Sequence, residues 1–278
     1  MDVRVRGKGP VRPFETARSR FEAVHDLEKP VTIRIQPDPD VRTMATHEKN
    51  RHTLTISEAV ARSSLTVELA VHEFAHMRRI EQRHPSHTVD VIEALYLASA
   101  GQQLDRETIV QAHQIANHVR DVYADDITFE IAPGEKLAGF LESELAMAIA
   151  DNPRSGPADG YRRSAFADPT LTAVNAAFAL ALLDRHDVST EHRLAELAHA
   201  AQTDAPNIDI EVFERYFAGL QPGPSETDCL RTLIDLFEAY FEARAETESK
   251  RDQPDQEFLK ESTRRSRTLR SEAKEWGK

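Results

Sequence analysis

Hydrophobic positions along the chain recur mostly at helical spacing, and only short segments have the character of strands. Val31–Gln36 alternates apolar and polar residues, and His52–Ile56 is a second short β-prone run. From Leu65 the spacing becomes helical and predicts a helix to about Arg83, since Pro85 ends it. Further helices are predicted over 88–100, 105–127, 135–150, 169–185, 190–202, 210–220 and 226–246.

This pattern predicts a mainly α protein with a small β-sheet, of the α+β class. We expect an N-terminal extension over residues 1–30, a metal-binding domain over 31–151, a helical C-terminal part over 161–248 and a polar tail over 249–278. The Pro-, Gly- and Asp-rich segment 152–160 is the best candidate for a domain boundary. The sequence after Lys250 is almost entirely polar, as in a solvated helix or a disordered tail.

Composition narrows the class of function. The formal net charge of −12 argues against nucleic acid as the main partner, because phosphate binding needs a basic surface. No apolar run approaches the roughly 20 residues of a membrane helix, and the charged N-terminus lacks the apolar segment of a secretory signal. The only cysteine is Cys229, so we expect a cytoplasmic protein without an intramolecular disulfide. Abundant acids with few lysines favour adaptation to high salt.

The motif that carries chemistry is His72-Glu73-Phe74-Ala75-His76, an HExxH pattern. On a helix, residues four apart share one face, so both imidazoles can bind one zinc ion. Glu73 then lies beside the open coordination position, where it can act as a general base. The alternative is a purely structural role, in which the motif lies on a buried helix with two hydrogen-bonded core histidines and no metal.

A catalytic zinc needs a third protein ligand, and the extended zincin motif is absent because Arg79 and Gln82 replace its glycine and histidine. The best candidates lie on the predicted third helix. There, Asn117, Asp121 and Asp125 repeat every four residues on one face of an otherwise apolar helix. Three polar groups on one stripe require partners, which a metal and its surroundings would supply.

A strand, a helix with HExxH and a helix with Asn-x-x-x-Asp together resemble the zincin superfamily of metallopeptidases, in a gluzincin-like arrangement. The resemblance covers residues 31–130 and extends to an uncharacterised family from salt-adapted archaea. It implies a zincin-like catalytic domain with Asp121 as third zinc ligand, supported by Asn117 and Asp125. It also implies that Thr53–Ile56 is the edge strand that pairs with an extended substrate. Asp121 stands where gluzincins have a glutamate, so Asp125, Glu93 and His84 remain alternative ligands.

Other residues near the motif have simpler interpretations. Tyr123 is a candidate for polarising an oxyanion, with core packing as the alternative. His84 and His87 follow the HExxH helix and are expected in a solvated loop. His113 and His118 are expected as surface or packed histidines, because they lie off the Asp121 face.

The leading functional prediction is zinc-dependent hydrolysis of a peptide bond in a peptide or protein substrate, with no nucleic-acid or membrane partner. The first alternative is a zinc-stabilised, non-catalytic helical interaction protein, and the second is a metal-free helical scaffold. Glu73 favours the enzyme, because a purely structural zinc site does not need a carboxylate there. The sequence does not identify the substrate or the oligomeric state.

Overall fold

The computed structural model describes residues 1–37, 43–101, 103–151, 168–189 and 193–252. The expected boundary segment 152–160 and the tail beyond residue 252 lie outside the described residues. The elements along the chain are β1 (Val3–Arg6), α1 (Arg12–Glu22), β2 (Val31–Gln36), β3 (Thr43–Glu48), β4 (Arg51–Ser57), α2 (Glu58–Ala61), α3 (Thr66–Glu81), α4 (Pro85–Thr88), α5 (Val91–Ala98), α6 (Arg106–Ile131), α7 (Gly134–Ala150), α8 (Pro169–Arg185), α9 (Arg193–Asp204), α10 (Ile210–Ala218) and α11 (Glu226–Asp252).

Helices dominate these residues and the sheet is small, so the predicted mainly α, α+β class is confirmed. Helix ends follow local chemistry. Asp105 caps α6 by accepting a hydrogen bond from the backbone N–H of Thr108, and Pro85 follows α3 at the first position of α4. None of the described helices combines the length and apolar character that a bilayer crossing requires.

The sheet has the strand order β1-β2-β4-β3. β1, β2 and β4 run parallel, and β3 pairs antiparallel with β4. The expectation that Thr53–Ile56 forms the edge strand is therefore wrong, because β4 is bonded on both sides. The sheet edge on this side is β3, which the alternation pattern did not predict. The strand sits next to β4 because the chain reverses at residues 49–50, between the paired residues Glu48 and Arg51.

One hydrophobic core joins the sheet to the HExxH helix. The first thirty residues belong to it and are not a mere extension, because β1 pairs with β2 and α1 packs on α3. Phe21 of α1 meets Phe74 of α3 edge to face at 5.8 Å. The buried members of this core are Phe14, Ala17, Phe21, Leu27, Val31, Ile33, Ile35, Leu54, Ile56, Ala61, Ala70, Val71, Phe74, Ala75, Met77, Ala124 and Ile127.

A second core is wholly helical and lies among α5 to α11, with Val89 at its margin. It begins well before the predicted boundary at residues 152–160, since α5, α6 and α7 all contribute to it. Helix α6 belongs to both cores, with Val119 and Val122 in the helical core and Ala124 and Ile127 in the sheet core. The two cores therefore meet along α6.

An ion pair reinforces this junction from the helical side. Arg185, at the end of α8, donates to both carboxylate oxygens of Asp126 on α6, at 2.7 and 3.0 Å. The same guanidinium donates to the backbone carbonyl of Leu220 at 2.7 Å. A bidentate arginine–carboxylate pair fixes direction as well as distance, so α8 is held in register against α6.

Candidate metal centre

Helix α3 presents the HExxH motif at the junction of the two cores. Its apolar face, which includes Phe74 and Met77, is buried against the sheet and α1. His72 and His76 are half-buried and lie one turn apart on the side that faces α6. The i, i+4 spacing predicted this placement, because it sets both imidazoles on one stripe of the helix.

Three potential ligand atoms converge between α3 and α6. Nε2 of His72 and Nε2 of His76 are 3.0 Å apart. Oδ1 of Asp121 lies 3.2 Å from Nε2 of His76 and 3.9 Å from Nε2 of His72. Two ligands at zinc-binding distance with a tetrahedral angle are separated by about 3.3 Å. The three atoms therefore fit three corners of a tetrahedral site and leave the fourth corner open.

The outer nitrogen of His72 is fixed by the next acid on α6. Its Nδ1 lies 2.6 Å from Oδ1 of Asp125, which is a hydrogen-bonding distance for N–H to carboxylate. A proton on Nδ1 leaves the lone pair of Nε2 for a metal. Metal-binding histidines are commonly oriented by a carboxylate in this way. Asp125 thus fixes the orientation of the His72 ring.

The outer nitrogen of His76 is held by a chain of short contacts that runs into α4. Nδ1 of His76 is 2.9 Å from Nε2 of His87, and Nδ1 of His87 is 2.8 Å from Oγ of Ser86. Oγ of Ser86 is in turn 2.8 Å from Nδ1 of His84. Burial, with the charge of His76, lowers the pKa of His87 to about 2, so His87 is neutral and can accept from His76. The expectation of a solvated loop for His84 and His87 is wrong, since both are half-buried in this chain.

Negative charge surrounds the two imidazoles. Burial disfavours the charged form of His72, but the charge and hydrogen bond of Asp125, with the charges of Asp121 and Glu73, raise its pKa to about 10. Burial also opposes ionisation of Asp121, but the neighbouring histidines keep the pKa of this carboxyl below its ordinary value. Three carboxylates around two imidazoles create a field that favours positive charge between them, either a proton or a bound metal cation.

Glu73 is half-buried beside His72. Within the described residues, no hydrogen bond or ion pair engages its carboxylate. A carboxylate with a purely structural role is ordinarily paired when it is partly buried. The Glu73 side chain thus remains available to a water molecule or a substrate.

The structure does not bring every predicted residue to this cluster. Asn117 is exposed, and its amide oxygen accepts from Arg120 at 3.3 Å, so it does not support a ligand. Tyr123 is fully buried in the helical core, its hydroxyl has no hydrogen-bond partner among the described residues, and its ring packs 4.6 Å from that of His84. Burial raises the pKa of Tyr123, and the thiol of Cys229 also contributes. Its expected oxyanion role is therefore not supported by its position.

The alternative third ligands are also separated from the converging atoms. Glu93 is exposed in the first turn of α5, and its backbone N–H contacts the capping side chain of Asp90. Among the described residues, His84 is linked to the cluster through Ser86 and His87. Among the described residues, the only group of three metal-binding side chains whose ligand atoms converge is His72, His76 and Asp121.

A second histidine–carboxylate cluster lies on the other side of α3, against the sheet. His47 and His52 are cross-strand neighbours on β3 and β4, and their Nδ1 atoms are 3.0 Å apart. Nε2 of His52 is 3.1 Å from Oε1 of Glu81, near the end of α3. Both carboxylate oxygens of Glu81 also accept backbone N–H groups, from Glu28 and Lys29, each at 2.8 Å. This cluster was not predicted from the sequence, because its members are adjacent only through the sheet register.

Comparison with known proteins places the chain in a family but does not assign an activity. No curated protein and no solved structure matches the chain. Residues 1–242 match a family of unknown function, DUF5781, and the match includes both cores and every residue of the candidate metal centre. Because the match spans most of its 278 residues, the chain belongs to the family of unknown function DUF5781.

Proposed function

We propose that this protein is a zinc-dependent peptidase. The observation that carries the proposal is the convergence of His72, His76 and Asp121 from two helices, next to the carboxylate of Glu73, which has no partner among the described residues. Three protein ligands with an open fourth position are the usual arrangement of a catalytic zinc site, whereas structural sites are closed by four. The donor set of two imidazoles and one carboxylate suits zinc.

The residues of the chain then have distinct tasks. His72, His76 and Asp121 would hold the ion, and Asp125 and His87 would fix the orientation of the two imidazoles through their Nδ1 atoms. A bound zinc ion would supply Lewis acidity at the carbonyl oxygen of the substrate. Glu73 would take a proton from the attacking water and pass it to the leaving amine.

The edge strand β3 is the surface that best suits an extended peptide. Of the described strands, β3 pairs only with β4, so its outer N–H and C=O groups are open to an additional strand. The contacts from His47 through His52 to Glu81 tie the end of β3 to the C-terminal end of α3. Backbone pairing would align a peptide without demanding a particular side chain. We also infer a cytoplasmic setting, because Cys229 is a single, buried thiol.

The alternative is a zinc ion that stabilises the fold without catalysis. The position of the cluster between the two cores favours this alternative, since a metal there would join α3 to α6. In that case Glu73 would have no chemical task, and its replacement by glutamine would change nothing measurable. Glu73 therefore separates the two functions.

The first experiment is metal analysis of the untagged full chain by plasma mass spectrometry, with His72→Ala and Asp121→Ala in parallel. We expect about one zinc per wild-type chain and loss of zinc in both variants. A peptide-library assay of wild type and Glu73→Gln then follows. Cleavage by the wild type alone, with zinc retained in Glu73→Gln, supports the peptidase. Zinc without cleavage in either protein supports the structural alternative, and no metal after zinc is supplied rejects both.

A further inference from the structure

His118 is a buried histidine on α6, three residues before Asp121, that contacts the C-terminal helices. It is 6% exposed, and its ring stacks on Phe178 of α8 with centroids 4.2 Å apart and planes inclined by 13°. Phe217 of α10 approaches the same ring edge to face at 6.1 Å. Nε2 of His118 lies 2.7 Å from Oδ1 of the side-chain amide of Asn175 on α8. Two aromatic rings and one polar contact thus leave the imidazole little freedom to turn.

The other ring nitrogen faces the candidate metal ligand. Nδ1 of His118 is 3.6 Å from Oδ2 of Asp121, longer than a hydrogen bond. Within the described residues this buried nitrogen has no hydrogen-bond partner. Oδ2 is the outer oxygen of a carboxylate whose Oδ1 faces His76, so a small rotation of Asp121 would bring Oδ2 within hydrogen-bonding reach.

The amide of Asn175 can set the tautomer that this contact needs. The oxygen and nitrogen of a side-chain amide occupy nearly identical positions and exchange by a flip. In the structure Oδ1 of Asn175 faces Nε2; once the amide is flipped so that its nitrogen donates to Nε2, the neutral imidazole carries its proton on Nδ1. That proton points at Asp121, so the buried donor and the carboxylate satisfy each other.

We propose that His118, held by Asn175 and Phe178, is a positioning residue that orients the carboxylate of Asp121 so that Oδ1 faces His72 and His76. The inference rests on the proposed metal site and adds a role for the C-terminal helices. α8 would complete the metal centre by supporting its third ligand from behind, and would not be a separate interaction module. Partners of metal ligands typically change metal affinity about 10–100-fold when removed.

Two substitutions at one position separate positioning from packing. The amide nitrogen of asparagine is as far from Cβ along the bonds as Nδ1 of histidine is, and that of glutamine matches Nε2. His118→Asn therefore keeps a donor towards Asp121, whereas His118→Gln keeps only the contact with Asn175. Both remove the imidazole that stacks on Phe178, so any packing loss is shared. His113→Gln, on the same helix outside the cluster, is the control.

The measurements are the zinc affinity of the full chain, by competition with a chromophoric chelator, and the visible spectrum of the cobalt-substituted protein. We expect His118→Gln to bind zinc at least tenfold more weakly with an altered cobalt spectrum, and His118→Asn to stay within about threefold of wild type. Asn175→Leu should resemble His118→Gln, which provides a second variant if one substitution impairs folding.

The outcomes distinguish this inference from the proposed function. Equal weakening in both His118 variants would mean that the ring only packs, and unchanged affinity in both would mean that Asp121 does not depend on it; either result overturns the inference. In both cases the wild type still binds zinc, so the metal site itself stands. Failure of the wild type to bind zinc or cobalt would instead reject the metal site and the inference with it.

Discussion

Two histidine–carboxylate clusters flank the same helix, and they differ in how their polar atoms are used. In the cluster of His47, His52 and Glu81, each contact follows the last in a chain, and the carboxylate is saturated by two backbone N–H groups. In the cluster of His72, His76 and Asp121, three potential ligand atoms point towards one another. Chains of alternating donors and acceptors stabilise a fold, whereas two imidazoles and a carboxylate that converge on one point favour a positive charge between them, either a proton or a metal cation.

Histidine and carboxylate side chains therefore contribute differently to stability in the two clusters. Glu81 and His52 are almost fully buried, with side chains 1% and 0% exposed, and their hydrogen bonds offset the cost of that burial. Glu73 is half-buried and unpaired among the described residues, so it contributes little to stability. We expect substitutions in the first cluster to affect folding, and substitutions in the second to affect metal binding and activity.

Glu73→Gln should show the largest difference between the effects of substitutions in the two clusters. Removal of a general base typically costs about 10²–10⁴-fold in rate, and glutamine preserves shape but cannot take a proton. We expect that loss in kcat for any cleaved peptide, with zinc content and thermal stability close to wild type. The measurement is single-peptide turnover together with metal analysis.

The matched variant is Glu81→Gln, the same change on the same helix. The amide nitrogen of glutamine cannot accept, so the backbone N–H of either Glu28 or Lys29 loses its acceptor, and the free energy of unfolding should fall by about 1–3 kcal/mol. Its kcat at a temperature where it is fully folded should equal that of wild type. A comparable loss of kcat in both variants would contradict the distinction between the clusters.

Zinc should stabilise the fold through one cluster only. At a free zinc concentration of about 100 times Kd, binding to the native state alone adds about 2.7 kcal/mol to the free energy of unfolding. We expect this increment in wild type and in His52→Ala, and none in His76→Ala. This increase in the free energy of unfolding is measured by urea unfolding of each protein with zinc and with chelator, so that each variant is compared with its own metal-free form. An increment that disappears in His52→Ala would show that the two clusters are not independent.

Local helical geometry explains which parts of the centre could be predicted. The i, i+4 repeat fixed His72 with His76 and Asp121 with Asp125, and both pairs lie on facing stripes of α3 and α6. Asn117 belongs to the same i, i+4 series, but two packed helices touch over only a few turns, and Asn117 is exposed and accepts from Arg120 of its own helix. Tyr123 is two residues from Asp121, about 200° around the helix, so it points into the other core.

Long-range packing determined the parts that the sequence did not reveal. The polar strand β3 has little apolar alternation, because it is a sheet edge with only Thr43 and Ala45 partly buried. His87 reaches His76 only because the short helix α4 folds back on α3, and no periodicity encodes that return. The helical content and the small sheet were predictable since they depend on local spacing.

Asp125→Asn should weaken the metal centre by a smaller amount than loss of a ligand. Asparagine can still contact Nδ1 of His72, but it removes the negative charge that favours a proton there. We expect zinc affinity to fall about 10–100-fold. Asp126→Asn is the control on the adjacent residue, because it disrupts the pair with Arg185 and should reduce stability without changing zinc affinity. The zinc affinity of both variants is measured by competition with a chelator. Equal zinc affinities in Asp125→Asn and wild type would show that Asp125 has no role in metal binding.

The smallest effect is a pH dependence that belongs to the cluster against the sheet. Partial burial, followed by the charges of His52, His76 and Lys29, lowers the pKa of His47 to about 4 from an ordinary 6.5. Above pH 6.5 the ring is neutral in both the folded and unfolded chain, so its contribution to stability is complete. Between pH 6.5 and 4 the unfolded chain binds the proton first, and stability falls as the pH falls.

The ring of His47 is exposed at one side, so solvent screening should limit this loss to about 1 kcal/mol or less. His47→Asn retains a donor at the position of Nδ1 but cannot titrate. We expect its free energy of unfolding to fall less than that of wild type between pH 7 and pH 4.5, as measured by urea unfolding. A variant that follows the wild-type curve would show that His47 is protonated as readily in the folded chain as in the unfolded one, and that partial burial beside His52 does not hold it neutral.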